Sequence, residues 1–371
     1  MHLLSSTMHI SFKDLASKYG PIMLIRTGAT TSYVVSNGAI AQDIFKTQDI
    51  KFAARPEFGG SDYQIYKDNL FSTLDYGKQW SFSKKICMTK ILSSQQINRF
   101  ADIRKAEMMN LLKVIAKHSE TGCDVGLEFT ALTNNVISMM LIKIYQSTLV
   151  LKSKGSLLGS TEETSAALQW AIAEILNHPK ALKKLQDEID ITVGLNRLVE
   201  ESDIPNLPYL HAVVKETLRL HPSLPLVFRK CREDIEINGF PIAKNSKIAV
   251  NLYTINRDPN VWEDATEFKP ERFLINAINA IGHADEEDMK GQNFSYVPFG
   301  GGRRGCPGAN LAMSVLHITL AALIQCFYWK IKGAEKVNME EGAGFSVLMA
   351  HTLVCYPILR VNLSDLLLLT S

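Results

Sequence analysis

The chain has 371 residues, of which 46% are hydrophobic and 21% are charged, and its 40 basic and 38 acidic side chains leave a formal charge of only +2. This composition is sufficient for a large buried core, and it excludes a disordered or collagen-like chain. A nucleic-acid-binding protein would need a surplus of basic residues along one face, so the near balance of charge argues against one.

Cysteine usage and hydropathy predict a soluble chain with reduced thiols. The six cysteines are scattered and include no Cys-x-x-Cys pair, which argues against a disulfide framework or a zinc ribbon. No run reaches the roughly 18 uninterrupted apolar residues of a membrane-spanning helix. The most apolar stretch, Leu311 to Cys326, is predicted to be a buried helix. The N-terminus also lacks the pattern of a secretory signal.

The predicted elements are mostly helical. β-prone runs at Ile22 to Arg26 and Ser32 to Val35 predict a hairpin, and a second β-prone segment, Ile235 to Leu252, contains a turn at Asn238-Gly239. Strands and helices do not alternate, so we predict a mainly α fold with a small β-sheet lobe, of the α+β class. The predicted helices span Gly77 to Leu92, Asn98 to His118, Thr164 to Asn177, Ala181 to Val193 and Tyr209 to Leu220.

The most distinctive segment is Pro298 to Gly308, in which one cysteine is surrounded by glycines, two arginines and a following proline. Glycine permits the unusual dihedrals and the close backbone approach that a flat ligand needs. Arginine charge and free backbone N–H groups lower the pKa of a thiol, so we expect Cys306 to be a thiolate. A thiolate on a rigid loop before a long apolar helix is suited to ligating a haem iron.

Two other interpretations of this segment are less well supported. Gly300-x-Gly302-x-x-Gly305 matches the dinucleotide-binding fingerprint, which also needs a helix opening inside it and an acidic residue about 20 positions later. No Asp or Glu occurs from Gly291 to Ala334, and Pro307 interrupts the expected helix start. A glycine-rich turn around a buried structural cysteine is the other alternative, and Arg303-Arg304 beside five glycines argues against it.

The segment resembles the cysteine-loop signature of the cytochrome P-450 family of haem-thiolate monooxygenases. The resemblance extends from about residue 9 to about residue 360 and is strongest for plant microsomal members that oxidise flavonoids, isoflavonoids and triterpenoids. It implies one haem-binding monooxygenase domain over 1–371, with a β-rich part at about 19–60 and a helical haem core at about 77–140 and 164–330. It also implies haem b (iron protoporphyrin IX) as cofactor, with Cys306 as the metal ligand. The signature positions are Phe299, Gly302, Arg304, Cys306 and Gly308.

Lys215 to Arg219 contains a carboxylate and a guanidinium on one helical face. Glu216 and Arg219 are three residues apart, and such a pair is usually a solvated contact of little value. Apolar neighbours indicate that this helix is buried, and a buried ion pair needs a further partner, which Arg272 supplies. Together the three residues resemble the family's Glu-x-x-Arg plus Arg triad. The resemblance implies that they brace the loop that carries the cysteine.

A tryptophan and a lysine lie one helical turn apart where the family has Trp-x-x-x-Arg. Here the cation is Lys84, which offers a point charge in place of a bidentate fork. Without the other motifs, Trp80 would be interpreted as an ordinary core aromatic. The resemblance implies that Trp80, Lys84, Arg229 and Arg304 bind the carboxylates of the haem.

The family's oxygen-activating helix carries a small residue, then Gly, any residue, an acid and Thr. The resemblance places this pattern on Ser160 to Thr164, with Thr161 where the family has glycine. Glu163 and Thr164 would then be the catalytic pair that helps to deliver protons. Ser160-x-x-Glu163 is equally a capping box at a helix start, and both interpretations stay open.

Relatives carry a long helical block between Asn134–Met139 and Thr164–Ser165 that forms the roof of the substrate pocket, and we predict a deletion junction at about 141–163. The family's N-terminal membrane anchor is also expected to be absent. An open distal side would admit water, which a reactive site must exclude. We therefore expect weak or absent turnover, and the alternative function is a non-catalytic or unstable haem-binding remnant.

The resemblance also implies partners. O2 would be the co-substrate, the organic substrate would be small and apolar, and electrons would come from NADPH through an NADPH-cytochrome reductase. Lys84, Lys85 and Arg303 are candidates for its basic docking face, with an ordinary solvated surface as the alternative. Family members lie on the cytosolic face of the endoplasmic reticulum membrane. Without an anchor, this chain is expected to be soluble or peripheral.

Overall fold

A computed structural model describes residues 7–27, 30–56, 74–147, 161–274, 294–331, 333 and 335–360. The predicted helices and both β-prone segments are confirmed within these ranges, and the fold is α+β as expected. The helices are α1 (Met8–Tyr19), α2 (Gly38–Gln42), α3 (Lys78–Ile86), α4 (Ser94–Arg99), α5 (Ala101–Ala116), α6 (Val125–Ser147), α7 (Thr161–Asn177), α8 (Pro179–Thr192), α9 (Pro208–Leu220), α10 (Leu252–Ile255) and α11 (Ala309–Cys326). The strands are β1 (Ile22–Thr27), β2 (Thr30–Val35), β3 (Cys123–Asp124), β4 (Leu226–Lys230), β5 (Ile235–Ile237), β6 (Phe240–Ile242), β7 (Lys247–Asn251), β8 (Phe327–Ile331) and β9 (Val354–Leu359).

A four-stranded sheet has the order β1-β2-β7-β4. β1 and β2 form the predicted antiparallel hairpin, β7 joins β2 in parallel, and β4 pairs antiparallel with β7. Successive side chains of a strand point to opposite faces. Val34 accordingly packs in a cluster with Phe12 of α1, whereas Val35 packs with Phe45 in a second cluster. Both faces of the sheet are therefore covered.

The second β-prone segment divides into β5, β6 and β7. β5 and β6 form a hairpin across Asn238-Gly239, whose φ angles are 50° and 80°. Two consecutive positive φ angles are typical of a type I′ turn, for which Asn-Gly is the preferred pair. A further sheet has the strand order β3-β9-β8, and both of its pairings are antiparallel.

Helix α11 lies at the centre of the largest buried cluster and contacts α5, α7, α8 and α9. Two described helices are long and apolar enough to cross a membrane. One is α11, whose apolar window is 83% buried, so the prediction of a buried core helix is confirmed. The other lies in α6, over Val125–Ile144, and is 44% buried. This second stretch was not identified from the sequence, because polar residues interrupt its apolar run.

Helices α6 and α7 flank the predicted deletion junction and pack closely against each other. Thr133 Oγ1 donates to the carbonyl of Thr161 at 3.1 Å. A Cβ atom at Gly126 would lie 2.7 Å from the side-chain oxygen of Gln169, so any larger residue at this position would displace the Gln169 side chain. Residues 148–160 of the predicted junction, including Ser160 of the capping box, lie outside the described residues.

Candidate functional site

The cysteine loop, Pro298 to Gly308, is held closed by its own backbone. The N–H of Cys306 donates to the carbonyl of Phe299 at 3.0 Å, and the N–H of Gly305 donates to Gly302 at 3.0 Å. Gly300 and Gly302 both have φ +67°, the left-handed region that glycine adopts without strain. The unusual dihedrals expected from the sequence are therefore present. They shape the loop that carries Cys306, which lies three residues before the start of α11.

Two glycines of the cysteine loop press against neighbouring protein. A Cβ atom at Gly302 would lie 2.2 Å from the carbonyl oxygen of Phe45, and one at Gly301 would lie 2.9 Å from the Phe45 Cβ. The N–H of Arg303 donates to a carboxylate oxygen of Asp49 at 3.1 Å. For Gly301 and Gly302, the close approach among the described residues is thus to the Phe45–Asp49 segment.

The side chain of Cys306 is accessible to solvent, and many protein atoms surround its sulfur. Burial raises the pKa of its thiol, and the Glu163 carboxylate adds to this, whereas the N–H groups of Gly308 and Ala309 and the Lys84 ammonium lower it. The net pKa is above the ordinary value, so the expectation of a lowered pKa is wrong for the free thiol. Deprotonation would instead accompany metal binding, because a coordinated thiol loses its proton outright.

Four cations converge beside the cysteine loop, and we call Arg55, Arg229, Arg304 and Lys84 the cation cluster. Burial, followed by the charges of Arg55 and Arg304, lowers the pKa of Arg229 well below its ordinary value. Burial and then Arg55 lower the pKa of Arg304 to about 10. The Asp49 carboxylate offsets part of this repulsion.

Arg304 is anchored and still carries an unused donor. Its Nε and Nη2 donate at 2.8 Å to the carbonyls of Ala53 and Leu74, and its guanidinium lies 4.6 Å above the Trp80 ring. Its Nη1 is buried and has no hydrogen-bond partner among the described residues. Arg229, which is 2% exposed, donates Nη1 to the Phe228 carbonyl at 3.1 Å.

Lys84 contacts the cysteine loop directly. Its Nζ donates to the carbonyl of Arg303 and, at 3.3 Å, to that of Gly305. Burial is the largest cause that lowers the pKa of Lys84, to about 8, while the nearby Cys306 raises it. This ammonium therefore lies against the loop that carries the thiol and within electrostatic reach of Arg229 and Arg304.

This set of residues fits a haem. Buried cations that repel one another are stabilised by an anion, and haem carries two carboxylates at one edge. The buried, unpartnered Nη1 of Arg304 is a donor of the kind that a carboxylate would satisfy. The Cys306 sulfur, within electrostatic reach of Lys84, is a suitable thiolate ligand for iron.

The low pKa of Lys84 gives a pH-dependent prediction for the haem-free chain. Lysine titrates at its ordinary value of 10.5 when unfolded and at about 8 when folded. Between these values the unfolded chain binds the additional proton, so the free energy of unfolding rises with pH in this window. Lys84→Met should remove that rise in urea melts between about pH 8 and about pH 10. The exposed neighbour variant Lys85→Met should keep it, and an unchanged slope in Lys84→Met would contradict the placement.

The structure brings Glu216, Arg219 and Arg272 together. Arg219 donates Nε and Nη2 to the two Glu216 oxygens at 2.7 and 2.8 Å, and Arg272 donates Nε to Glu216 at 3.0 Å. Glu216 and Arg219 are both 0% exposed. The backbone N–H of Lys269 adds a further bond to Glu216 at 2.8 Å. The carboxylate is thus fully hydrogen-bonded, as a buried charge requires.

Aromatic packing links this triad to the cysteine loop. The guanidinium of Arg219 lies 5.2 Å from the Trp262 ring, and Trp262 Nε1 donates to the carbonyl of Ser295 at 3.3 Å. The Tyr296 ring packs 5.2 Å from that of Phe273, and its hydroxyl donates to the backbone of α9 at 3.2 Å. The chain that enters the cysteine loop at Pro298 is therefore held by residues around the triad.

Glu163 and Thr164 lie in the first turn of α7 and are half-buried. Burial raises the pKa of Glu163, and its Oε2 is buried without a hydrogen-bond partner among the described residues. Its charge reaches Cys306. The acid is therefore within electrostatic reach of the sulfur, and burial favours its protonated form.

Sequence reasoning did not assign Asp49 and Arg55 to the site. Asp49 binds the backbone of Arg303 and forms an ion pair with its side chain at 3.1 Å. Arg55 extends the cation cluster and donates Nη1 to the Phe228 carbonyl at 3.3 Å. Arg55 is the single cation in the otherwise apolar run Phe52 to Pro56, and this isolated charge could have indicated a role in the site. The sequence contains no comparable signal for Asp49.

The chain resembles plant proteins over nearly its whole length. Cytochrome P-450 705A12 of Arabidopsis thaliana is 34% identical over 449 residues, covering 97% of this chain and 89% of that protein. Cytochrome P-450 93A3 of Glycine max is 31% identical over 470 residues, and the 3,9-dihydroxypterocarpan 6A-monooxygenase of the same plant is 30% identical over 470. Each of these two alignments covers 98% of this chain and 91% of the relative.

Solved structures and a family model agree with these relatives. A zebrafish cytochrome P-450 solved with abiraterone has a TM-score of 0.78 at 21% identity and covers 95% of this chain and 99% of its own. This likeness establishes the fold. The family model described as cytochrome P-450 matches residues 1–156 and 146–356. With its cysteine loop, its buried triad and these matches, the chain belongs to the cytochrome P-450 family and is a haem-using monooxygenase of the plant type.

Proposed function

We propose that this protein inserts one oxygen atom from O2 into an apolar plant secondary metabolite of flavonoid, isoflavonoid or triterpenoid type. The observation that carries the proposal is the placement of Cys306 before α11 and beside the cation cluster. A relative named as a 3,9-dihydroxypterocarpan 6A-monooxygenase supports the isoflavonoid-like part of this substrate range.

The residues of this chain would hold the haem at its iron and at its two carboxylates. Cys306 would ligate the iron through Sγ, and Arg229 and Arg304 would bind the carboxylates, with Trp80 packed under Arg304. Haem, when bound through a thiolate, supplies the chemistry that activates O2. The triad would keep the cysteine loop rigid from the proximal side, which supports the orientation of Cys306.

Glu163 would act on the other side of the bound cofactor. Burial raises the pKa of its carboxyl, which favours the protonated form that a proton donor needs. Its backbone carbonyl accepts a hydrogen bond from Ser223 Oγ at 3.0 Å, which fixes the first turn of α7. We propose that Glu163 and Thr164 together deliver protons to the distal side.

Electrons would come from NADPH through an NADPH-cytochrome reductase. Lys85 and Arg303 are exposed on the surface around the cysteine loop, where a partner could approach the cofactor closely. Asp49 neutralises part of the Arg303 charge at 3.1 Å, and Lys84 is turned toward the loop carbonyls, so Lys85 is the strongest of the three docking candidates. We also propose association with the cytosolic face of the endoplasmic reticulum membrane, where such a reductase could be met.

Reconstitution tests the proposed activity. Purified chain, loaded with haem, is combined with a plant NADPH-cytochrome reductase and a panel of flavonoid, isoflavonoid and triterpenoid compounds. Formation of a product 16 Da heavier than its substrate, dependent on NADPH and O2, is the expected result, since one oxygen atom is added. Product formation from none of the three classes would contradict the proposed substrate range.

Arg229→Met separates haem binding from chain stability. Removing a buried cation from the cation cluster relieves repulsion, so the haem-free variant should be more stable than the parent by at least about 1 kcal/mol. Haem binding should weaken roughly tenfold or more, because a carboxylate loses its partner. Urea melts and haem titration measure the two effects, and the exposed variant Arg26→Met should change neither. Weaker stability together with unchanged haem affinity would contradict the assigned role.

A second candidate function is a non-catalytic haem-binding remnant. Two observations support a missing block at about 141–163. The two segments that match the family model meet at residues 146–156, and the 470-residue alignments exceed the 371 residues of this chain. Without a roof, the distal side would admit water.

We therefore predict that the haem-loaded chain turns over slowly and consumes NADPH with little product. The measurement compares NADPH oxidation with product formation, and the pterocarpan monooxygenase of Glycine max in the same assay is the control. Efficient coupling of NADPH oxidation to product in this chain would refute the missing-roof proposal, and it would leave the haem assignment intact.

A further inference from the structure

Two cysteines far apart in sequence face each other in the β3-β9-β8 sheet. Cys123 and Cys355 are directly opposite partners in the antiparallel pairing of β3 with β9. Directly opposed residues of an antiparallel pair have side chains on the same face. Cys123 is 4% exposed and Cys355 is 0% exposed, both lie in the largest buried cluster, and both are free thiols.

The register places these thiols at the spacing of a disulfide. Opposed Cα atoms in an antiparallel pair lie about 4.5 to 5.5 Å apart, and disulfides span Cα distances of about 4.4 to 6.8 Å. Opposed Cβ atoms, at about 4.5 to 5.5 Å, must approach by about 1 Å to reach the spacing of about 3.8 Å found in disulfides. β3 has only two residues and follows Gly122, so this small shift involves a short strand at the sheet edge.

We propose that Cys123 and Cys355 form a reversible disulfide on exposure to a hydroperoxide, and that this bond fastens the start of α6 to the C-terminal strand β9. The site is distinct from Cys306 and the cation cluster. β3 runs directly into α6, and the N–H of Val125 donates to the carbonyl of Leu353 at 3.1 Å, so the bond would reinforce an existing contact.

The chemistry balances with hydrogen peroxide as the oxidant. One sulfur, as thiolate, attacks the peroxide O–O bond and becomes a sulfenic acid, and the departing hydroxide takes up the thiol proton as water. The second sulfur then attacks the sulfenic sulfur, the S–S bond forms and the S–O bond breaks, releasing a second water. Two thiols lose two electrons in total, and the peroxide gains them.

Burial sets the speed of this reaction. It raises the pKa of Cys123 to about 11 and that of Cys355 to about 12, so few thiolates exist near neutral pH. Oxidation should therefore be slow at pH 7 and accelerate with pH, since the thiolate is the nucleophile. Hydrogen peroxide is small and uncharged, which suits a nearly closed site.

Peptide mapping of the haem-loaded chain tests the proposal. After treatment with hydrogen peroxide, free thiols are alkylated and the chain is digested without reductant. The expected result is a Cys123–Cys355 linked peptide at roughly ten times the abundance of any other cysteine pair, lost on treatment with dithiothreitol. Alkylation of both residues, a sulfinic or sulfonic acid at either, or preferential pairing with a third cysteine would overturn it.

Variants supply the matched controls. Cys326→Ser removes another buried thiol that faces no cysteine in the described strands and should leave the linked peptide unchanged. Cys355→Ser should abolish it and leave Cys123 alkylated. If Cys355→Ser does not fold, Cys123→Ser gives the reciprocal test. If neither variant folds, the peptide map of the unmodified chain tests the proposal without them. Under identical peroxide treatment, the parent should melt at a higher temperature than Cys355→Ser, because a long loop is closed. Equal melting temperatures would refute the fastening of α6 to β9.

Discussion

Cys306→Ser is expected to abolish the thiolate signature of the haem-loaded chain while leaving the haem-free chain folded. Serine keeps the size of the side chain, but its hydroxyl does not ionise as a thiol does when a metal binds. The Cys306 side chain is exposed and contributes little to the core, so the free energy of unfolding should change by no more than about 0.5 kcal/mol. The absorption spectrum of the reduced, carbon-monoxide-bound form and a urea melt measure the two effects.

Cys87→Ser is the matched control for this variant. Cys87 is buried close enough to Cys306 for the two to interact electrostatically, which makes it the natural alternative ligand. Burial raises the pKa of Cys87 to about 11, so it is a poor thiolate. We expect Cys87→Ser to keep the thiolate signature. Loss of the signature in Cys87→Ser and its retention in Cys306→Ser would reverse the assignment.

Glu216→Ala is expected to destabilise the haem-free chain by about 3 to 5 kcal/mol, the cost of leaving a buried charge without its partner. The carboxylate accepts hydrogen bonds from Arg219, Arg272 and the backbone of Lys269, and its removal leaves the Arg219 guanidinium unpaired at 0% exposure. The remaining Arg219 bonds to backbone carbonyls, such as that of Ala265 at 2.7 Å, do not neutralise the charge.

Urea denaturation followed by circular dichroism measures this loss. Glu236→Ala, at an exposed position of β5, is the control and should change stability by no more than about 0.5 kcal/mol. Glu216→Gln keeps the shape and loses the charge, so we expect an intermediate to full loss. A loss below about 1 kcal/mol in Glu216→Ala would mean that the network is no more than a solvated ion pair.

Local patterns made much of the fold predictable from the sequence. The Asn238-Gly239 hairpin follows from two residues that tolerate positive φ angles. Glu216 and Arg219 are paired by helical geometry alone, because residues three apart share a face. Arg272 is different, since 56 residues separate it from its partner Glu216. Its part in the network was predicted from the family resemblance, not from spacing.

Other features of the site depend on which groups become buried together, and the sequence does not specify this. The Cys306 thiol was expected to have a low pKa because glycine N–H groups and arginines surround it in sequence. In the fold, Arg304 points to the carbonyls of Ala53 and Leu74, and desolvation of the sulfur is the largest effect. Asp49 is 254 residues from the Arg303 backbone that it binds, and no local pattern marks that contact.

The cation cluster shows the same limit. Arg229 and Arg304 could be proposed as carboxylate partners by resemblance, but their mutual repulsion with Arg55 is a property of the folded chain. This repulsion is the physical reason to expect an anion at this place. It also explains why the haem-free chain should tolerate the loss of Arg229 better than most buried positions tolerate a substitution.

The spectrum of the unmodified chain with haem supplied tests the central claim most directly. The chain is titrated with haem, reduced and exposed to carbon monoxide, and the position of the main absorption band is recorded. We predict saturable binding of haem and the long-wavelength band of a carbon monoxide complex that carries a thiolate ligand. A chain that stays colourless, or a band of the type given by an imidazole ligand, would contradict the assignment of Cys306 as the iron ligand.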